Sequence, residues 1–150
     1  MSHEIMQNEV LSLAAFLGGE DILSDPPDTP LDWIELVRNG LPAAALQEIL
    51  RRTRVSQSTL AEALAIPTRT LARSKREGAF SPEVSAKLVR FARIAARAEE
   101  VLGDSESAQD WLRASNRSLG GWRPLFLLDT DIGAEVVLDA LGRIEHGVFA

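Results

Sequence analysis

Ser56 to Gly78 reads SQSTLAEALAIPTRTLARSKREG, two short helical patterns with a break between them. Leu60, Ala61 and Leu64 fall on the inward face of the first, Ile66 plugs the break and Leu71 anchors the second. Ala61 has the small side chain that lets two helices cross closely. Pro67 can start the second helix, because the first turn needs no hydrogen-bonded N–H from it. This is a helix-turn-helix pattern. It leaves Thr68, Arg69, Thr70, Arg73 and Arg76 on the first turns and exposed face of the second helix, the positions that enter a major groove. Arginine can donate a bidentate pair to guanine, threonine can touch a base edge or a phosphate, and Lys75 suits a phosphate. Gln57, opening the first helix, is placed to hydrogen-bond a phosphate. Where such turns usually hold glycine, which tolerates positive φ, this chain has Ala65, so the turn geometry is an open point. The same pattern also fits a helical hairpin with no nucleic acid near it.

Charge is distributed in a way that bears on the choice. The 150-residue chain carries a net charge of -6, which is unfavourable for DNA. Residues 51–97, however, hold 11 Lys and Arg against three Glu, a local charge of +8 that leaves -14 for the rest. A basic centre between acidic flanks points to an anionic partner for the centre and a different, basic one for the flanks. Arginines that merely solvate helix faces would give the same count.

Outward from the motif, the pattern stays helical. Ser81-Pro82-Glu83 is a helix start: serine caps an orphan N–H, proline at the first position lacks one, and glutamate complements the positive helix end. Val84, Leu88, Phe91, Ala95, Ala98 and Leu102 then recur at spacings of three and four before Gly103. They predict one amphipathic helix of about 30 Å, a core helix that ties two halves together or, less favoured with only three heptads, an intermolecular coiled-coil seam. Upstream, Ala43 to Arg54 predicts a helix with Leu46, Ile49 and Leu50 inward, and LDWIELVRNG predicts another with Leu31, Ile34 and Val37 on one face. Residues 1–30, with Gly18-Gly19 and SDPPDTP, read as a flexible arm. Downstream, Ala108, Trp111 and Leu112 mark a shorter helix. Strand-like alternation is not sustained anywhere, so an all-α protein is expected.

The last quarter, LGGWRPLFLLDTDIGAEVVLDALGRIEHG at 119–147, joins a Gly-Gly chain reversal to a final helix. Asp129 or Thr130 can cap that helix, Ile132, Val136, Val137, Leu141 and Ile144 are expected as its buried stripe, and Gly147 closes it. Gly120-Gly121 lacks the Gly-Lys continuation of a phosphate loop. Trp122, Arg123 and Phe126 beside the turn are candidates for an exposed contact, because Trp and Arg are enriched among interface anchors. His146 and the apolar tail Val148-Phe149-Ala150 are further candidates. Over about residues 99–147 the stretch resembles the toxin-binding domain of the MbcA/ParS/Xre antitoxins. The residues that carry the resemblance are Trp111-Leu112, Leu119-Gly120-Gly121, Pro124-Leu125, Leu128, Thr130, Gly133, Val137, Leu141, Ile144 and Gly147. The wider likeness runs upstream to about Leu41.

The resemblance implies an organisation of arm (1–30), Xre-like helix-turn-helix unit (31–98) and toxin-binding unit (99–150). It implies a partner toxin of the RES type, ADP-ribosyltransferase-like and NAD-consuming, whose active site the antitoxin occludes. The antitoxin would bind no cofactor itself and would repress its own operon by binding operator DNA. A homodimer is expected, since one recognition helix reads too few base pairs. The competing reading is a stand-alone regulator whose C-terminal helices only dimerise it. Enzymatic chemistry has little to stand on. There is no cysteine, and the two histidines, His3 and His146, lie near opposite ends, which excludes a Cys/His zinc site and a disulfide frame. No paired-carboxylate or nucleophile–base spacing stands out. No apolar run approaches the roughly 20 residues that span a bilayer, and the chain reads as cytoplasmic.

Overall fold

A computed structural model describes Glu9 and residues 12–147, and its regular elements there are helices. In chain order these are α1 (Pro30–Asn39), α2 (Ala44–Thr53), α3 (Gln57–Ala63), α4 (Thr68–Glu77), α5 (Pro82–Leu102), α6 (Ser105–Arg113) and α7 (Asp131–Glu145). Single 3-10 turns lie at Gly19–Asp21, Arg117–Leu119 and Pro124–Leu127. The sole pairing of strand type among the described residues is an isolated bridge, Pro42 to Ala79, where Phe80 N donates to Leu41 O at 2.9 Å. It closes the two ends of the α2–α4 segment against each other. Buried Ser85 locks the same point, its Oγ accepting from Leu41 N at 2.8 Å.

α5 is the axis. Its start is the one the sequence predicts: Ser81 Oγ accepts from Val84 N, Pro82 follows the cap, and Gly103 ends the helix. Val84, Leu88, Phe91, Ala95 and Ala98 are buried, as the spacing requires, and so are Ala92, Ile94 and Ala96. The helix is therefore covered on several sides, by α1, α6 and α7. Alanine at so many of these positions lets the neighbours approach closely. Full burial of a side chain of Phe91's size is worth about 2–3 kcal/mol.

α7 is fastened to this axis by charge as well as by packing. Arg90 pairs with Asp131 at 2.7 Å and donates to Leu128 O at 3.3 Å, and Arg97 pairs with Glu145 at 2.5 Å. The hydrogen bond from Arg97 holds the Glu145 carboxyl below the usual carboxylate range. Arg93 pairs with Glu9, and Glu48, held low by its hydrogen bond from Arg51, also meets Arg52. Part of the acidic flanks thus pairs with the basic centre within the chain.

Three expectations change. Residues 12–27 are not a free arm: 12–16 are helical, and Leu13, Phe16, Leu17 and Leu23 are in the core. Leu13, Phe16 and Leu17 share one helical face, and Arg52 lies over the Phe16 ring at 5.2 Å, so the segment has both a stripe to bury and a clasp. In α1 the predicted face is turned outward. Leu31 is 72% and Ile34 45% exposed, whereas Trp33 is buried and Leu36 packs on the core. Burying the larger indole sets the rotation, and Thr29 with Asp32 completes a reciprocal capping box that fixes the entry. In α7 the buried stripe is Ala134, Val137, Ala140 and Leu141, while Ile132, Val136 and Ile144 face out. The boundary at 98/99 falls within α5, the long helix expected to tie the two halves together, and one hydrophobic cluster runs from Leu13 to Leu141. The two expected units share a core.

Candidate DNA-reading and partner-binding surfaces

Between α3 and α4 the structure builds the turn from the residues the pattern assigns. Ser56 caps α3, its Oγ accepting from Thr59 N at 3.1 Å. Leu60, Ala61, Leu64, Ile66 and Leu71 are buried, and Ile66 N reaches back to Ala61 O at 2.8 Å. Ala65 takes the left-handed conformation that glycine usually supplies, φ 54. The turn geometry is kept, and the side chain carries the strain. Lys87 Nζ donates to the Ala65 carbonyl at 3.1 Å, which fixes the strained residue from α5. Ala65→Gly is expected to stabilise the protein by about 0.5–1 kcal/mol, since relief of left-handed strain outweighs glycine's extra chain entropy. A rise in Tm of about 1–4 °C would be read by calorimetry.

On α4 the inward residues are Leu71 and Ser74, whose Oγ donates to Thr70 O at 2.9 Å. Thr68, Arg69, Arg73, Lys75 and Arg76 are exposed. Thr70, assigned to the same face, is half-buried. Gln57, also half-buried, accepts from Lys75 Nζ at 2.6 Å. That bond places the start of α3 beside the basic face of α4. Arg73 meets Glu77 at 3.8 Å through two exposed side chains, a contact of little energy. Arg69 and Arg76 have no ion-pair partner among the described residues. The face can engage an anionic partner without first breaking strong internal pairs.

The second surface starts at the chain reversal. Asn116 Oδ1 accepts from Ser118 N and Oγ, its own N–H donates to Trp122 O at 3.0 Å, and Gly120 and Gly121 turn the chain at φ 67 and 85. Pro124 and Leu125 bury the next turn against α3 and α6. Trp122 is left 60% exposed, and Arg123 stacks on the half-buried Phe126 ring at 4.3 Å. Thr130 caps α7 by accepting from Gly133 N at 3.0 Å. His146 is exposed at the far end of α7, about 20 Å from its start by the rise of a helix of this length. The structure therefore does not gather the Trp122 group and His146 into one patch; Val148, Phe149 and Ala150 lie outside the described residues. Along α7 itself Ile132, Val136 and Ile144, which sequence periodicity put in the core, face outward. The signal was present: α7 has apolar residues on more of its circumference than one packed face needs.

Two family profiles match the chain. The antitoxin Xre-like helix-turn-helix domain covers residues 32–93, and the antitoxin Xre/MbcA/ParS C-terminal toxin-binding domain covers 97–147. The passage from one to the other falls within α5. An antitoxin Xre of Yersinia enterocolitica is 32% identical over 119 residues, 78% of this chain and 80% of that protein. One from Photorhabdus laumondii is 30% identical over 115 residues, 75% of this chain and 78% of its own. A Sphingobium protein named Prs ADP-ribosylating antitoxin is 30% identical over 132 residues, covering 81% of this chain and 83% of that one.

Proposed function

The chain belongs to the Xre/MbcA/ParS antitoxins, with a helix-turn-helix domain followed by a toxin-binding domain, and from that premise we propose that it neutralises a RES-type, NAD-consuming toxin and represses its own operon. The observation that carries this reading is the separation of two exposed surfaces on one core. α4 offers unpaired arginines, and the C-terminal domain offers Trp122 and the exposed apolar side chains of Ile132, Val136 and Ile144. Exposed aliphatic and indole side chains on a domain of this kind are held there at a solvation cost that a docked partner would remove. The name of the Sphingobium relative accords with a partner of ADP-ribosyltransferase chemistry.

In this reading the antitoxin has no catalytic or cofactor role, works in the cytoplasm and binds operator DNA as a homodimer. α4 meets the bases through Thr68, Arg69 and Arg73, while Gln57, Thr70, Lys75 and Arg76 serve the backbone. Among the described residues no helix is long and apolar enough to cross a membrane.

Co-expression with the product of the neighbouring gene tests the toxin half. The full chain is expected to restore growth and cellular NAD. The Ile132→Asp/Val136→Asp variant, altered only at exposed positions, is expected to fold and to bind the toxin about 30-fold or more weakly, a loss of about 2 kcal/mol. A chain ending at Gly147 separates the helix surface from the tail Val148-Phe149-Ala150. Rescue lost only on truncation assigns the occluding role to the tail. A neighbour that neither harms growth nor co-purifies would leave the stand-alone regulator as the better account.

A further inference from the structure

A cleft of about 360 Å³ lies where the 124–127 turn meets the start of α3. Arg54, Arg113 and Arg123 line it, with Ser56, Thr59 and the ring of Phe126. No carboxylate is among the lining residues, and none of the three arginines has an ion-pair partner among the described residues. The α5 arginines Arg90, Arg93 and Arg97, by contrast, each hold a carboxylate.

The cleft is also built. Arg113 donates to the carbonyls of Thr53 and Arg54, which fixes the backbone where Arg54 adopts a left-handed φ of 56. Arg123 is held by stacking on Phe126 at 4.3 Å. Two placed guanidinium groups, Arg113 on a carbonyl pair and Arg123 on a ring, with Arg54 beside them on the fixed backbone, suit the oxygens of a phosphate. Ser56 and Thr59 add hydroxyls.

Its position says which phosphate. Ser56 in the cleft wall adjoins Gln57, and Gln57 is hydrogen-bonded at 2.6 Å to Lys75 of the reading helix. The cleft wall is thus joined to α4 through the start of α3. We propose that it holds a DNA backbone phosphate flanking the bases read by α4, so that Arg113 and Arg123 of the toxin-binding domain take part in DNA binding. This rests on the DNA-reading role proposed above. It also reassigns Arg123, a sequence candidate for toxin contact, to a second ligand.

The test is the salt dependence of binding to an operator duplex by the full chain and by Arg54→Asn, Arg123→Gln and their combination. Asparagine tolerates the left-handed backbone at 54. Each substitution is expected to lower the slope of log K against log salt by about 0.9, and the pair by about 1.8, with Arg123→Lys retaining the slope. Arg113→Gln is left out of the primary set because it would also free two carbonyls. Arg69→Ala/Arg73→Ala serves as the control for the reading helix. If that control loses affinity while the cleft variants keep the full slope, the cleft assignment fails and the DNA-reading role stands. If the unaltered chain binds no duplex, the DNA-reading role fails and takes the assignment with it. Inorganic pyrophosphate alone addresses the other source of phosphate. Saturable binding that Arg54→Asn/Arg123→Gln abolishes, with duplex affinity unchanged, would overturn the DNA assignment in favour of a small phosphate ester.

Discussion

Replacing Arg69 and Arg73 together with alanine is expected to weaken operator binding by about 3 kcal/mol, roughly 150-fold at fixed salt, and to leave toxin neutralisation unchanged. Both side chains stand on the exposed face of α4, opposite Leu71 and Ser74, so their loss removes no packing. Arg69 has no ion pair to give up, and the contact of Arg73 with Glu77 at 3.8 Å is solvent-exposed on both sides. Little internal energy offsets what the bases would gain. A bidentate pair to guanine discriminates by about 1–3 kcal/mol, so the loss falls on the operator more than on a scrambled duplex. Fluorescence anisotropy with both duplexes at matched ionic strength measures the ratio. A uniform loss on the two duplexes would move Arg69 and Arg73 to the backbone-contact class and transfer base reading to Thr68 and its neighbours. Lys75→Ala makes a useful contrast. It removes one phosphate-type charge and the bond to Gln57, and it is expected to lower affinity on both duplexes alike.

The fold class was legible because its signals are local. The cap Ser81, the proline after it and the three–four spacing to Leu102 describe α5 without reference to any other element. The helix-turn-helix was legible for the same reason, and Ala65 shows where locality ends. Sequence marks it as a residue in a glycine position, but only the packed structure shows that left-handed φ is retained, with Lys87 from α5 on its carbonyl. Charge was the least legible property. Counting along the chain made residues 51–97 a basic block awaiting an anion, whereas Arg90, Arg93 and Arg97 are engaged by Asp131, Glu9 and Glu145, which come from its acidic flanks. The arginines that do stay unpaired include Arg54, Arg113 and Arg123, drawn from three separated segments, and no spacing rule joins them. The rotation of α1 and α7 was lost for a related reason. Ile34 and Trp33, or Val136 and Val137, are adjacent apolar residues on different faces, and periodicity does not say which of two faces meets the core.

In α7 the choice is made by Gly133, and Gly133→Ala is expected to be the most damaging small substitution in the C-terminal domain. A Cβ at this position would lie 1.6 Å from the carbonyl oxygen of Leu127 and 2.8 Å from its carbon. Both are backbone atoms, so no side-chain rotation relieves the overlap. The first turn of α7 must move away from the 124–127 turn, and with it go the Thr130 cap on Gly133 N and the Arg90 bonds to Asp131 and Leu128 O. Overpacking of this kind costs about 3 kcal/mol, which for a chain of this size lowers Tm by about 6–12 °C. Toxin neutralisation should fall with it, because exposed Ile132 rides on the displaced turn. Gly142, in the same helix, supplies the comparison. A Cβ there meets nothing within 4 Å, so Gly142→Ala is expected to stabilise by about 0.5–1 kcal/mol through the restricted unfolded chain. Opposite signs at two glycines of one helix cannot come from helix propensity, which favours alanine at both. If both substitutions stabilise, α7 is not seated on the Leu127 carbonyl, and the exposed face built on that seating would have to be redrawn.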